Sequence, residues 1–124
     1  MTSWEVEHTD QFGDWYLALP DDEADEIGHA IDQLAEDGPT LGRPLVDRVE
    51  GSKHHNMKEL RIGTANCEYR ILFAFDPNRT AFLLVGGDKT GQWSRWYDKN
   101  IPYADDLYDE HLRELDRERR QHER

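Results

Sequence analysis

The sequence predicts an α+β fold in which two N-terminal helices pack on a small antiparallel β-sheet, followed by a C-terminal helix. Two patterns carry this prediction. Apolar residues alternate with polar ones in short runs between residues 57 and 86, as in strands, and recur every three or four residues between residues 10 and 37, as in helices. The length of 124 residues fits one domain spanning residues 1–124.

Three short apolar runs form the predicted sheet. They occupy residues 57–62, 68–75 and 80–86 and have the apolar and aromatic composition of strands. Two segments rich in turn residues separate them, residues 63–67 and residues 76–79. Apolar runs joined by such turns are typical of hairpins, so the three strands form an antiparallel meander.

The alternation also predicts the register of the first hairpin. Side chains along a strand point alternately to its two faces, so only some registers bring the apolar faces together. The register with a short connecting loop pairs Leu60 with Ile71. It also places Arg61 directly opposite Arg70.

Two arginines that face each other across strands repel one another. A tight hairpin that carries Arg61 and Arg70 in this way suggests that an anion is held between them. The simpler alternative is that both arginines are solvated and paired with Glu59 or Glu68.

A short strand and two helices are predicted before the sheet. Residues 4–8 alternate as a strand does. A helix then begins near Thr9 and ends at Pro20, and a second helix runs from about Asp21 to Gly38. The two helices form an antiparallel hairpin that covers one face of the sheet.

Residues 38–56 are predicted to be a loop, with a short strand near residues 45–49. The loop contains Lys53, His54 and His55. Adjacent histidines point in different directions, so these two are a poor metal pair, and no metal or other cofactor is predicted. The loop is either simply exposed or brings one histidine to a site as a general acid or base.

Basic and aromatic residues follow the last strand of the meander. Lys89 stands at the exit of that strand, beside the hairpin that carries the two arginines. Residues 93–99 interleave aromatic and basic side chains, which either stack on unpaired bases or anchor the core. Pro102 is predicted to open the last helix, and residues 116–124 to form a polar tail that frays.

The charge is distributed unevenly along the chain. The net charge is −12. Residues 1–42 contain twelve Asp and Glu and no Lys or Arg, whereas residues 43–99 contain ten Lys and Arg against seven Asp and Glu. A local excess of cations in an acidic chain indicates an anion-binding surface near the predicted sheet.

The composition also bears on the compartment. Cys67 is the only cysteine, so no intrachain disulfide forms. No apolar run is long enough to span a membrane, and the first residues lack a basic and then apolar signal region. We therefore expect a cytoplasmic protein with no membrane partner.

The succession KELRI, EYRILFAF and a third apolar strand that ends in a Gly-Asp-Lys turn resembles the RelE/ParE superfamily of bacterial toxins, and its HigB-like branch in particular. The resemblance covers roughly residues 4–115. It implies a RelE-like α+β fold, a toxin that cleaves messenger RNA on the ribosome, and a cognate antitoxin, often of the helix-turn-helix type. By position, the family's functional cations correspond to Arg61, Arg70 and Lys89.

The chain also departs from the family pattern. Members commonly have two adjacent lysines after the last strand, whereas this chain has Asp88 followed by Lys89. Members that act on the ribosome are usually basic, whereas this chain is acidic.

Metal-independent RNA cleavage indicates roles for the candidate residues. The 2′-hydroxyl attacks the adjacent phosphorus, and fixed cations stabilise the charge that develops there. Arg70 is the first candidate for this role and Arg61 the second. The proton acceptor and donor are sought among His54, His55 and Lys89. The residues expected to contact RNA are Lys53, Lys58, Arg95, Trp96 and Lys99.

Two other functions remain open. ParE-like relatives poison DNA gyrase by binding it without hydrolysis, and a third possibility is an inactive interaction module whose acidic helices dock a basic partner. The predicted sheet has one open face that carries Arg61 and Arg70. We expect an acidic or apolar antitoxin segment to cover it.

Overall fold

The computed structural model describes residues 3–123. Its five strands are β1 (Glu5–His8), β2 (Val46–Arg48), β3 (Met57–Gly63), β4 (Glu68–Phe75) and β5 (Thr80–Asp88). Its helices are α1 (Asp10–Leu17), α2 (Asp21–Asp37) and α3 (Trp93–His122), with a 3₁₀ turn at Gly38–Thr40. The predicted α+β class is confirmed.

All five strands belong to one sheet in the order β1-β5-β4-β3-β2. The central strands β3, β4 and β5 form the predicted antiparallel meander. At one edge β2 pairs antiparallel with β3, inside the segment 45–49 that was expected to hold a short strand. At the other edge β1 pairs parallel with β5, so the sheet is wider than the meander alone.

The register of the β3–β4 hairpin is the one that the sequence predicts. Leu60 lies opposite Ile71, and Arg61 lies opposite Arg70. Leu60 and Ile71 are fully buried, which shows why this register is favoured over a shift by one residue. The two arginines consequently emerge on the same face of the sheet.

Helices α1 and α2 cover one face of the sheet, as predicted. Ile71 and Phe73 of β4 point to this face and are fully buried. They share a core with Phe12 of α1 and with Ile27 and Leu34 of α2. Burying a side chain of this size contributes about 1.5–3 kcal/mol, so the hairpin is held mainly by its apolar stripe.

The second face of the sheet is covered by α3, so the expectation of an open face is wrong. Trp96, Ile101 and Tyr108 of α3 belong to a second core with Met57 of β3 and Leu72 of β4. The strand β4 is therefore buried on both faces. The apolar residues of β4 on the same face as Arg70 are covered by α3 of the same chain.

The prediction that Pro102 opens the last helix is also wrong, because α3 begins at Trp93 and contains Pro102. A proline inside a helix removes one backbone hydrogen bond and costs about 3 kcal/mol. Ile101 and Ala104, which flank Pro102, are buried against the sheet. Their packing outweighs the local preference of proline for the first turn of a helix.

The polar tail continues α3 to His122, so the prediction of a frayed segment is wrong for residues 116–122. Exposed ion pairs one turn apart support this end of the helix, such as Arg120 with Asp116 at 3.1 Å. Each such pair contributes about 0.3–0.5 kcal/mol.

Within residues 3–123, no helix is both long and apolar enough to cross a membrane.

Two adjacent glycines of β5 lie beneath a tryptophan on each face of the sheet. A Cβ atom at Gly86 would overlap the ring of Trp15 from α1, and one at Gly87 would lie 2.5 Å from Nε1 of Trp96 from α3. Successive strand residues face opposite sides, so the two rings approach the backbone from opposite directions. The missing side chains let both helix layers pack directly on the strand.

Replacing Gly87→Ala is expected to lower the free energy of unfolding by about 1–3 kcal/mol, because the new methyl group overpacks the Trp96 ring. Urea unfolding followed by tryptophan fluorescence measures the change. The matched control is Gly42→Ala, where nothing lies within 4 Å of an added Cβ, and its effect should stay below about 1 kcal/mol. Equal stability of the two variants would show that Trp96 does not rest on this glycine.

Candidate functional site

A group of charged and hydrogen-bonding side chains lies on the sheet face that α3 covers. Arg61 and Arg70 are paired across β3 and β4, and Gly87 of β5 lies on the other side of Arg70. The first turns of α3 pass above these strands. We call the following residues the charged cluster: Glu59, Arg61, Arg70, Lys89 and Tyr97.

Arg70 is the central and most enclosed member, with only 4% of its surface exposed. Its Nε atom donates a hydrogen bond to the Tyr97 hydroxyl at 3.2 Å, and its Nη1 atom donates to the Tyr69 carbonyl at 2.8 Å. Glu59 lies 3.7 Å from Nε and Glu68 lies 3.5 Å from Nη1. These contacts fix the plane of the guanidinium group, which is the condition for directional recognition of an anion.

Tyr97 and Glu59 form a short hydrogen bond beside Arg70. The Tyr97 hydroxyl donates to Oε1 of Glu59 at 2.6 Å. Burial, together with this hydrogen bond to Glu59, raises the pKa of Tyr97 to about 12. The phenol therefore stays protonated at neutral pH and donates, whereas the carboxylate accepts.

Lys89 is buried next to the arginines, with 5% of its surface exposed. Its ammonium group lies 4.0 Å from the centre of the Trp93 ring and 5.3 Å from that of Tyr97. Within residues 3–123, no carboxylate oxygen lies within 4 Å of the Lys89 ammonium nitrogen. Burial, and then the charge of Arg70, lower the pKa of Lys89, so its ammonium group releases a proton more readily than an exposed lysine.

Arg61 lies at the rim of the charged cluster, with a third of its side chain exposed. Its Nε atom lies 3.8 Å from Glu59 and its Nη1 atom 3.7 Å from Asp47 of β2. Both arginines thus pair with acidic side chains, as in the simpler sequence interpretation. Arg70, however, is buried instead of solvated.

A cleft of about 360 Å³ leads to the cluster between the β2–β3 edge and the start of α3. Glu59 and Tyr97 form part of its wall, and Arg48, Ser94 and Asp98 lie around them. The short hydrogen bond between Tyr97 and Glu59 is therefore the part of the cluster that a ligand in this cleft meets first.

Lys53 and His54 lie outside the charged cluster. Nε2 of His54 is 2.8 Å from Asp109 of α3, and the ammonium group of Lys53 contacts the same carboxylate. Tyr97 and Asp109 are twelve positions apart on α3, which corresponds to about 18 Å along a helix. The structure therefore does not bring His54 to the arginines, and the neighbouring His55 is exposed on the same loop.

The remaining predicted RNA contacts are scattered. Lys58 points to the opposite face of the sheet, where its ammonium group lies 5.5 Å from the centre of the Phe75 ring. Trp96 of α3 is buried between that helix and the sheet, which fits the alternative that the aromatic residues of this segment anchor the core. Arg95 and Lys99 are exposed on the first turns of α3, close to the cleft in sequence.

Sequence reasoning missed Glu59 and Tyr97 as members of the site. The signal for Glu59 was present, because it lies two residues before Arg61 on the same strand face. Tyr97 gave no such signal, since its position depends on where α3 begins.

Comparison with known proteins identifies the family. The family model described as "Phage derived protein Gp49-like (DUF891)" matches residues 14–109. Two proteins of Mycobacterium tuberculosis are similar in sequence. "Putative toxin HigB3" is 59% identical over 91 residues, which are 73% of this chain and 78% of that protein. "Putative toxin HigB2" is 48% identical over 103 residues, which are 82% of this chain and 51% of that protein.

The fold has relatives among solved structures. The toxin–antitoxin complex RelBE2 of Mycobacterium tuberculosis contains a chain that matches with a TM-score of 0.55 at 17% identity, over 70% of this chain and 99% of that chain. The chain therefore belongs to the Gp49-like family and is a relative of the HigB proteins, and its fold is like that of the RelE toxins. The resemblance proposed from the KELRI and EYRILFAF segments is confirmed.

Replacing Arg70→Gln is expected to raise the pKa of Lys89, because it removes a positive charge beside the buried ammonium group. The pKa is measured by ¹³C NMR of protein in which the lysines are labelled biosynthetically with ¹³C at Cε. Arg61→Gln serves as the matched comparison and should produce a smaller rise, since Arg61 contributes less to the shift. An unchanged pKa in Arg70→Gln would contradict this account of the cluster.

Proposed function

We propose that the chain is the toxin of a type II toxin–antitoxin pair and that it cleaves messenger RNA on the ribosome. The observation that carries this proposal is the charged cluster, in which Arg70 is fixed between Glu59 and Tyr97 with Lys89 alongside. The relatives HigB3 and HigB2 are named as toxins, and RelBE2 is a toxin–antitoxin complex. We accordingly assign it a cognate antitoxin, of the helix-turn-helix type, and a place in the cytoplasm, where ribosomes act.

The cluster contains the groups that metal-independent RNA cleavage needs. Glu59 accepts the proton of the 2′-hydroxyl, and the 2′-oxygen attacks the adjacent phosphorus. Arg70 stabilises the negative charge that gathers on the phosphate oxygens, with Arg61 at the rim. The bond from phosphorus to the 5′-oxygen breaks, and Lys89 protonates that oxygen. The products are a 2′,3′-cyclic phosphate and a 5′-hydroxyl.

Glu59 replaces the histidines in this assignment. His54 is held by Asp109 far along α3, whereas Glu59 lies within the cluster and on the wall of the cleft. The lowered pKa of Lys89 suits a proton donor, because a weaker hold on the proton eases its transfer to the leaving oxygen. Tyr97 positions both Glu59 and Arg70 through its hydroxyl.

The cluster has to open before it can hold a phosphate. Arg70 and Lys89 are almost fully buried, and the ring of Trp93 lies over the Lys89 ammonium group. Trp93 has a φ of 22°, which is unfavourable for a residue with a side chain, and Gln92 at the start of α3 makes no capping side-chain hydrogen bond. We infer that the first turn of α3 moves aside when the chain binds the ribosome.

Cleavage is tested by cell-free translation of a defined message, with new RNA ends mapped in the presence and absence of ribosomes. Ends that appear only with ribosomes are expected for the unmodified chain. Arg70→Gln and Glu59→Gln should each slow cleavage by about 10²-fold or more. Arg113→Gln replaces an exposed arginine of α3 and should cleave normally.

Each other outcome of the cleavage test would indicate a different function. Inhibition of growth that survives Arg70→Gln, in a variant whose circular dichroism shows an intact fold, would favour a non-catalytic toxin of the gyrase-binding kind. No inhibition and no new RNA ends with the unmodified chain would leave an interaction module of the same fold. Cleavage without ribosomes would contradict ribosome dependence alone.

Opening of α3 is tested with Trp93→Gly, which removes the ring above Lys89 and suits the positive φ. Acetylation of Lys89, followed by mass spectrometry, should become faster in this variant. Lys58 and Lys99 in the same sample serve as internal standards, because neither contacts Trp93. Equal acetylation of Lys89 in both proteins would show that Trp93 does not close the cluster.

A further inference from the structure

An apolar groove lies on the sheet face opposite the charged cluster, where α1 and α2 pass over the β1 edge. Its volume is about 370 Å³. Val6 and Leu83 of the sheet, Phe12 and Tyr16 of α1, and Ile31 of α2 line it. The groove is thus part of the first core, at the place where that core reaches the surface.

Leu17 stands at the end of α1, beside this groove, with 83% of its surface exposed. A large apolar side chain is stabilised by burial, and this one has no cover within the described chain. Gly13 and Gly28 line the groove from the two helices, and their missing side chains let His8 and the Tyr16 hydroxyl pack close to the helix backbones. Exposed apolar surface beside an unfilled groove is typical of a protein interface.

The groove is edged by acidic residues on both helices. On α1, spacings of three or four residues place Asp10 and Asp14 on the same side as Leu17. On α2, Asp25 and Asp32 are two turns apart and therefore also share one side. All four carboxylates are exposed. Within residues 3–123, the acidic side chains before Leu41 form no ion pair, and residues 1–42 contain no Lys or Arg at all.

We propose that this groove binds a basic amphipathic segment of the cognate antitoxin, and the proposal rests on the toxin function given above. An apolar row of the segment fills the groove and covers Leu17. Lys and Arg residues on either side of that row reach Asp14 on α1 and Asp32 on α2. Opposite charges on the two surfaces speed association and set the orientation of the segment.

This proposal differs from the sequence-based expectation of an acidic or apolar antitoxin segment over Arg61 and Arg70. Arg70 and Lys89 are buried, and the arginines are paired with carboxylates of their own chain. The free cations near the cleft are the exposed side chains of Arg48, Arg95 and Lys99. The acidic side chains of α1 and α2, in contrast, form no ion pair within the described residues.

The probe is the protein encoded beside the gene for this chain, co-expressed and purified as a complex. Its dissociation constant is measured by calorimetry at low and high salt. Affinity should fall with salt, and Asp14→Lys combined with Asp32→Lys should weaken binding about tenfold or more. Leu17→Ser should also weaken it. The control, Asp106→Lys with Glu118→Lys, changes the net charge equally on the exposed side of α3 and should bind normally.

The antitoxin-free variants are also assayed for ribosome-dependent cleavage, which the groove changes should leave intact. Binding that survives the groove variants, or that Arg61→Glu weakens as much as they do, overturns the proposal. Absence of any complex also overturns it, and the cleavage assay then decides the toxin function separately. If the neighbouring protein binds through the groove but the chain cleaves no RNA, the groove proposal is supported and the proposed ribonuclease activity is contradicted.

Discussion

The burial of the Arg70 guanidinium group is the constraint on which the rest of the structure depends. Alternation along β4 sends this side chain to the face that α3 covers, and an unpaired charge there would cost several kcal/mol. Glu59, Tyr97 and the Tyr69 carbonyl provide its partners. The start of α3 therefore completes the second core and supplies the Tyr97 hydroxyl that accepts a hydrogen bond from Arg70, while Glu59 of β3 carries the compensating charge. One helix stabilises the fold and closes the site.

Much of the sheet was predictable from the sequence, because it follows from local rules. The meander, its register and the apposition of Arg61 and Arg70 result from period-two alternation and turn residues. The helical hairpin over one face follows from its apolar stripes in the same way. For the candidate site, the cations could be predicted from the sequence. The burial of Arg70 and Lys89 could not, because it depends on α3, which is distant along the chain.

The predictions that failed share a physical cause. Pro102 and the polar residues after it argue locally against a helix, whereas the packing of Ile101 and Ala104 on the sheet decides in its favour. Once α3 starts at Trp93, Tyr97 reaches Glu59 and the supposed open face disappears. The same helix captures His54 through Asp109, which separates the histidines from the arginines. Each of these contacts joins segments whose proximity no local pattern encodes.

The adjacent glycines of β5 connect the two halves of the molecule. Trp15 of α1 rests on Gly86, and Trp96, one position before Tyr97, rests on Gly87. At this point the two helix layers are separated by the thickness of a single strand, with no β5 side chain between them. The acidic helices and the charged cluster thus meet across adjacent peptide units of one strand, and any side chain larger than hydrogen at either position would push one helix layer away from it.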